Sequence, residues 1–256
     1  MLEIKSLTVG FNLGSNMEKI VLNDFNLDIE DNDFVVLLGS NGAGKSTLFN
    51  AILGVVNYKG SIILNDVNLN GLPQYKRSKY IGVVFQDPSK GTAPNLSVYE
   101  NILLSTKKSF LGLRKKYKEL AIDELKEYHL GLEKKLDDQA KYLSGGQRQA
   151  LTLYMALNSN PGVLLLDEHT AALDPNNSNA IMELTNEIVK TKKMTTIMIT
   201  HNLQSAIKYG NRLIVLNEGK VVVDIKGDEK KNLTEKKLLE LYSKHFSDEM
   251  LFSSIK

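Results

Sequence analysis

The chain has 256 residues, long enough for one large α/β domain or for a domain with a lobe inserted in it. Its 42% hydrophobic and 24% charged residues are ordinary for a globular protein, and a net charge of +2 offers no electrostatic case for nucleic acid. There is no cysteine, which excludes disulfides and cysteine-ligated zinc or iron–sulfur chemistry.

In chain order, short apolar runs predict strands at 2–9, 21–29, 34–38, 61–64, 81–85, 163–166, 195–199, 213–216 and 221–225. The first two alternate, as in Val21, Phe25, Leu27 and Ile29, and read as antiparallel strands with one solvated face. The run 163–166 is apolar throughout, as expected of a strand covered on both faces. Between Asp87 and Pro161 helix-like segments at 97–104, 114–129 and 146–158 replace the strand signal. Pro88, Gly91 and Pro94 mark the entry to this stretch and Asn160-Pro161-Gly162 the return. The expected organisation is one domain over 1–256. An α/β core of 1–86 and 161–225 carries a helical lobe at 87–160, and a short charged helical tail at 226–256 follows. The longest apolar runs are too short to cross a bilayer, and MLEIKSLTVG lacks the features of a signal peptide. The expectation is a protein that stays in the cytosol and meets a membrane only peripherally.

Three motifs carry chemistry. Gly39, Ser40, Asn41, Gly42, Ala43, Gly44, Lys45 and Ser46, with Thr47 after them, fit G-x-x-x-x-G-K-[ST] between a predicted strand and helix. Backbone amides of such a loop and the N-terminal partial charge of the helix receive phosphate oxygens. Lys45 can then reach the β- and γ-phosphates, and the Ser46 hydroxyl can bind Mg²⁺. The second motif is the apolar run ending in Asp167 and Glu168, which puts carboxylates at the carboxyl edge of a sheet, where open α/β folds bind ligands. Asp167 would hold Mg²⁺, and Glu168 would act as general base on water. The third is Leu143-Ser144-Gly145-Gly146-Gln147, at the start of a predicted helix. Ser144 and Gln147 fit a capping box. Two glycines in a first turn, each costing about 1 kcal/mol against alanine, suit a large ligand close to the backbone.

With these motifs in hand, the chain resembles ATP-binding cassette proteins over nearly its whole length. The resemblance implies a P-loop NTPase core, made of a mostly parallel sheet and an antiparallel β subdomain, plus an inserted α-helical subdomain. It also implies ATP and Mg²⁺ as cofactors. Ser144, Gly145, Gly146 and Gln147 would face the nucleotide of a second cassette, either another copy or a paralogue. Gln86 would link Mg²⁺ and water to the helical lobe, so that Ser46, Gln86 and Asp167 form the metal set. His201 would contact the γ-phosphate, and Asp174 would lie in the loop that crosses the dimer interface. Phe11 is the candidate for stacking on adenine, with Phe25 as its rival. Where many cassettes read Asp-Glu-Pro-Thr, this chain has His169 before Thr170.

LDEHTAALDP and SGGQRQALTL resemble a narrower branch of bacterial importer ATPases. That branch works with an integral-membrane permease and an extracellular binding lipoprotein for tryptophan or related amino acids. The implied place is the cytoplasmic face of the membrane, with no nucleic acid as partner. Alternatives are a soluble cassette ATPase of a non-transport machine, such as cluster assembly, and a non-catalytic ATP-binding regulator. The second is disfavoured by the presence of both Asp167 and Glu168. The basic residues Lys107, Lys108, Arg114, Lys115, Lys116 and Lys118 read as a solvated helical face.

Overall fold

The computed structural model describes residues 1–12, 14–106 and 114–245, with backbone alone at 114–116. Of the basic stretch, only Lys118 therefore has a described side chain, and it pairs with Asp137 at 2.6 Å. The first part of the chain forms β1 (Leu2–Phe11), β2 (Lys19–Ile29), β3 (Phe34–Gly39), α1 (Lys45–Leu53), β4 (Lys59–Leu64), β5 (Val67–Asn68), α2 (Gln74–Arg77) and β6 (Ile81–Val84). The helices α3 (Val98–Ser105), α4 (Arg114–Lys126) and α5 (Gly145–Asn158) follow. The last part holds β7 (Val163–Asp167), α6 (Pro175–Lys192), β8 (Thr196–Ile199), α7 (Leu203–Lys208), β9 (Arg212–Asn217), β10 (Lys220–Lys226), α8 (Gly227–Lys231) and α9 (Glu235–Ser243).

Two sheets result. One has the order β2-β1-β4-β5 and is antiparallel throughout. The other has the order β10-β9-β3-β8-β7-β6, parallel except for the β9–β10 hairpin. This is the mixed α/β arrangement expected, and the five parallel strands of the larger sheet are buried on both faces. On β3, Phe34, Val36 and Leu38 enter a core shared with α3 to α7 and α9, while Val35 and Leu37 enter a second core with α1 and the antiparallel sheet. Each fully buried aliphatic side chain there contributes about 1.5–3 kcal/mol. The strand that leads into the phosphate-binding motif is thus packed from both sides and paired along both edges.

Alternation in β2 is broken by a bulge. Leu7 faces Phe25 and Val9 faces Leu22, so between these pairs two residues of β2 oppose one of β1. Asp24 takes the extra position with φ of 49°, and its N–H is held by the Thr8 hydroxyl at 3.1 Å. As a result Leu22, not Val21, is the buried member of that stretch. Helix α6 starts where Asp174-Pro175 predicts, with Pro175 at its first position. It is held by Ile181, Met182, Leu184, Ile188 and Val189 on its core side. The short elements β5, α2 and α7 have no counterpart among the predicted segments.

Among the described residues, no helix is long and apolar enough to cross a membrane.

Candidate nucleotide-binding and hydrolytic site

The phosphate-binding motif spans the end of β3 to the first turn of α1. At Gly39 a Cβ would come within 2.5 Å of the Leu216 carbonyl oxygen, so the tight turn off the sheet admits only glycine. Gly44 sits at the N-cap of α1 with φ of 103° and has no side chain to accept from the first amides of the helix. Those N–H groups are left for a ligand, and an anion suits them. Lys45 is buried, and its Nζ donates to the carbonyls of Gly39 at 2.6 Å and Ser40 at 2.9 Å. Burial pushes its pKa down, and the carboxylates of Glu168 and Asp167 partly oppose that shift.

Those carboxylates stand at the end of β7, one strand removed from β3 across β8. Asp167 still pairs with Ile199, whereas Glu168 takes a left-handed φ of 46°. Such a conformation in a non-glycine residue is strained by about 1–3 kcal/mol. The turn brings Glu168 Oε1 to 2.7 Å from His201 Nε2. His201 lies between β8 and α7, where Asn202 caps α7 by accepting from Ser205 N at 2.7 Å and donates its own N–H to Thr200 Oγ1. The hydrogen bond with His201 lowers the Glu168 pKa against the opposing effect of burial. Asp167 moves the other way, raised by burial and then by the Glu168 charge, with Lys45 countering. Lys45, Asp167, Glu168 and His201 therefore form one electrostatic group. Gln86 lies two residues beyond Val84, which pairs with Leu166, so it extends from the same sheet edge and is exposed there.

Phe11, at the end of β1, is 41% exposed, while its rival Phe25 is buried in the core at 4%. A cavity of about 750 Å³ is bordered by Glu168, His201, Thr170, Ser178, Ser205 and Glu235 among others.

The signature residues are not in hydrogen-bond contact with that group. Ser144 caps α5 by accepting from Gln147 N, and the Gln147 side chain accepts from Ser144 N, each at 3.2 Å. Gln147 Nε2 also donates to the Leu130 carbonyl at 3.0 Å. The capping box is therefore present. Gly146 has an additional reason for being glycine, because a Cβ there would come within 2.9 Å of Asn177 Oδ1 on α6. Asp174 caps α6 by accepting from both Asn177 N and Asn177 Nδ2, which depresses its pKa.

The roles of three buried polar residues escape sequence reasoning. Arg77 is buried and caps the C-terminus of α1, donating Nη1 to the carbonyls of Ala51 and Ile52, each at 2.8 Å. Its Nε reaches the Leu72 carbonyl and its Nη2 the Tyr58 hydroxyl. His169 is buried with Nε2 3.1 Å from Thr185 Oγ1. The Thr185 hydroxyl already donates to Ile181 O, so the imidazole Nε2–H is the donor in that pair. Gln149 is buried on α5 and donates to the Phe85 carbonyl. In the sequence His169 shows as the departure from the family pattern and Gln149 as a polar residue in the apolar stripe Gly146, Ala150, Leu153, Leu157, whereas Arg77 leaves no trace.

The same arrangement has counterparts in known proteins. The ABC transporter family pattern matches residues 22–171. A tyrosine transport ATP-binding protein of Clostridioides difficile is 47% identical over 247 residues, covering 94% of this chain and 98% of that one. A phosphonates import ATP-binding protein of Trichormus variabilis is 36% identical over 218 residues, covering 82% and 87%. Among solved structures, a dimeric post-hydrolysis ATP-binding cassette (MJ0796) bound to ADP and Pi superposes with a TM-score of 0.73. It is 28% identical, covering 88% of this chain and 98% of that one. The cbiO1 cassette of Clostridium perfringens gives a TM-score of 0.75 at 27% identity, covering 99% and 98%. From its phosphate loop, its carboxylate pair and its likeness over nearly the whole length to these cassettes, the chain belongs to the ABC transporter family and is an ATP-binding, ATP-hydrolysing cassette.

Proposed function

We propose that this chain is the energy-coupling subunit of a bacterial importer, in which two cassettes close on MgATP and reopen after hydrolysis. The observation that carries this reading is the meeting of Glu168, His201, Asp167 and Lys45 at one sheet edge beside the phosphate loop. In it, backbone amides from Gly39 to Thr47 and the uncapped start of α1 receive the phosphates, and Phe11 stacks on adenine. Asp167, the Ser46 hydroxyl and Gln86 are hard oxygen donors suited to Mg²⁺. Burial and the neighbouring Glu168 charge raise the pKa of Asp167, and a cation bound there would favour its ionised form. Among the described residues no cluster of His, Asp and Glu could hold a metal by itself, so nucleotide phosphates would complete the set. When bound, the ion neutralises charge on the transferring phosphoryl group. Glu168 stays ionised through its bond to His201 and polarises the attacking water, while His201 holds that carboxylate in place.

Ser144, Gly145 and Gly146 of one cassette would close over the nucleotide of the other, with Gln147 maintaining the cap. Asp174 would lie in the crossing loop, and the cavity beside Glu168 and His201 leaves room for a segment of the second cassette. The stretch 87–160 acts as the lobe that meets an integral-membrane permease at the cytoplasmic face, fed by an extracellular binding protein. The relative named for tyrosine transport supports an amino-acid cargo such as tyrosine or tryptophan.

Glu168→Gln tests the hydrolytic assignment. It should lower turnover at least about a hundredfold and leave a dimer that persists in MgATP on size-exclusion chromatography. Full ATPase activity in that variant would refute the roles of Glu168 and His201. The transport reading is tested by affinity capture from detergent-solubilised native membranes, where a multi-span protein in stoichiometric amount is expected and soluble partners alone would refute it.

A further inference from the structure

Helix α5 begins at the signature and passes directly behind the loop that starts at Gln86. It touches that loop at both ends. Gln149 Nε2 donates to the Phe85 carbonyl at 3.2 Å. Three residues later, Thr152 Cγ2 lies 2.8 Å from where a Cβ on Gly91 would stand, so the helix and the far end of the loop are in close contact. Thr152 Oγ1 also donates to the Gln149 carbonyl at 2.7 Å, which ties the two contact points together.

Packing does not account for Gln149. The residue is fully buried, and its Oε1 has no hydrogen-bond partner among the described residues. An amide buried with its acceptor unused is destabilising, and a methionine of similar shape would fill the same space without that penalty. What the glutamine adds is the bond to Phe85. The carbonyl of Phe85 and the N–H of Gln86 belong to one planar peptide unit. Holding that carbonyl sets the direction in which Gln86 leaves β6. Gln149 is also one helical turn, about 6 Å, from Gly145 in the signature.

We propose that Gln149 is a positioning residue, through which the helix that carries the signature orients Gln86 over the metal and water position. The proposal rests on the reading that Gln86 serves that position. Any shift of α5 when a second cassette's nucleotide meets Ser144 to Gly146 is then passed to the Phe85–Gln86 peptide by one hydrogen bond. The signature of each cassette thereby bears on the hydrolytic residues of its own chain.

The test compares Gln149→Met and Gln149→Glu with wild type, using MgATP as probe. Gln149→Met should keep the melting temperature and the Kd for MgATP near wild type. Its kcat should fall about tenfold, the rate equivalent of one lost hydrogen bond. In Gln149→Glu only the protonated carboxyl can donate to Phe85, so its kcat relative to wild type should rise as pH falls. Wild-type kcat in Gln149→Met would overturn the proposal. So would a loss of kcat matched by lost MgATP affinity and a lowered melting point. If Gln149→Met does not fold, a flat pH ratio for Gln149→Glu overturns it. Gln86→Ala, run alongside, separates the two levels. If it hydrolyses ATP normally the underlying reading fails, whereas its inactivity beside an unimpaired Gln149→Met removes only the role of Gln149.

Discussion

His169 makes the folded protein sensitive to acid in a way that can be worked out from its surroundings. The imidazole is buried, its Nε2–H is committed to Thr185, and burial lowers its pKa from 6.5 to about 4. An unfolded chain binds the proton near pH 6.5, whereas the folded chain refuses it until about pH 4. The contribution to stability is therefore complete above pH 6.5 and is lost as pH falls towards 4. Between pH 7.5 and pH 5 the linkage amounts to about 2 kcal/mol, approaching about 3 kcal/mol below pH 4. The assay is urea unfolding of the nucleotide-free protein from pH 7.5 to pH 5, compared with His169→Gln, which keeps a donor for Thr185 but does not titrate. Every other ionisable group is common to both proteins, so the difference between the two curves isolates His169. Wild type should lose about 2 kcal/mol more than the variant over that range. Parallel curves would refute the claim that this imidazole is kept neutral by burial.

Two further perturbations test separate parts of the structure. Arg77→Ala removes a charged donor from four acceptors at the end of α1, two of them helix-terminal carbonyls, and should cost about 3 kcal/mol in chemical denaturation. A loss no larger than that of a surface substitution would show that the cap is replaced by solvent. Phe11→Ala should weaken MgATP binding about tenfold in calorimetry, the effect of losing one base–aromatic stack. Its melting temperature should hold, because the ring is already exposed. Unchanged affinity would remove Phe11 from the adenine site.

The parts of the fold legible in the sequence are those set by local chemistry. The uniform apolarity of Val163 to Leu166 does mark a strand buried on both faces, and Asp174-Pro175 does start a helix. Periodicity misleads at Val21, because the bulge at Asp24 depends on pairing with Thr8, sixteen residues away in sequence. Arg77 is silent for a similar reason, since its partners at Ala51, Ile52, Tyr58 and Leu72 meet it only once the chain has folded back. Residue types and spacing single out Glu168 and His201, but nothing local announces the left-handed turn that brings them to 2.7 Å. At Gly146 the sequence suggests room for a ligand, and the fold adds Asn177 as a close neighbour that a side chain there would have to displace.

Lys45 is buried by the fold itself, its ammonium resting on the carbonyls of Gly39 and Ser40. Folding, not binding, therefore bears the dehydration of the charge that meets the phosphates. An incoming polyphosphate finds a cation in position and need not strip its hydration shell, so more of the attraction between them appears as affinity. Burying that charge costs the folded chain stability, and a nucleotide that binds only the folded form offsets the cost.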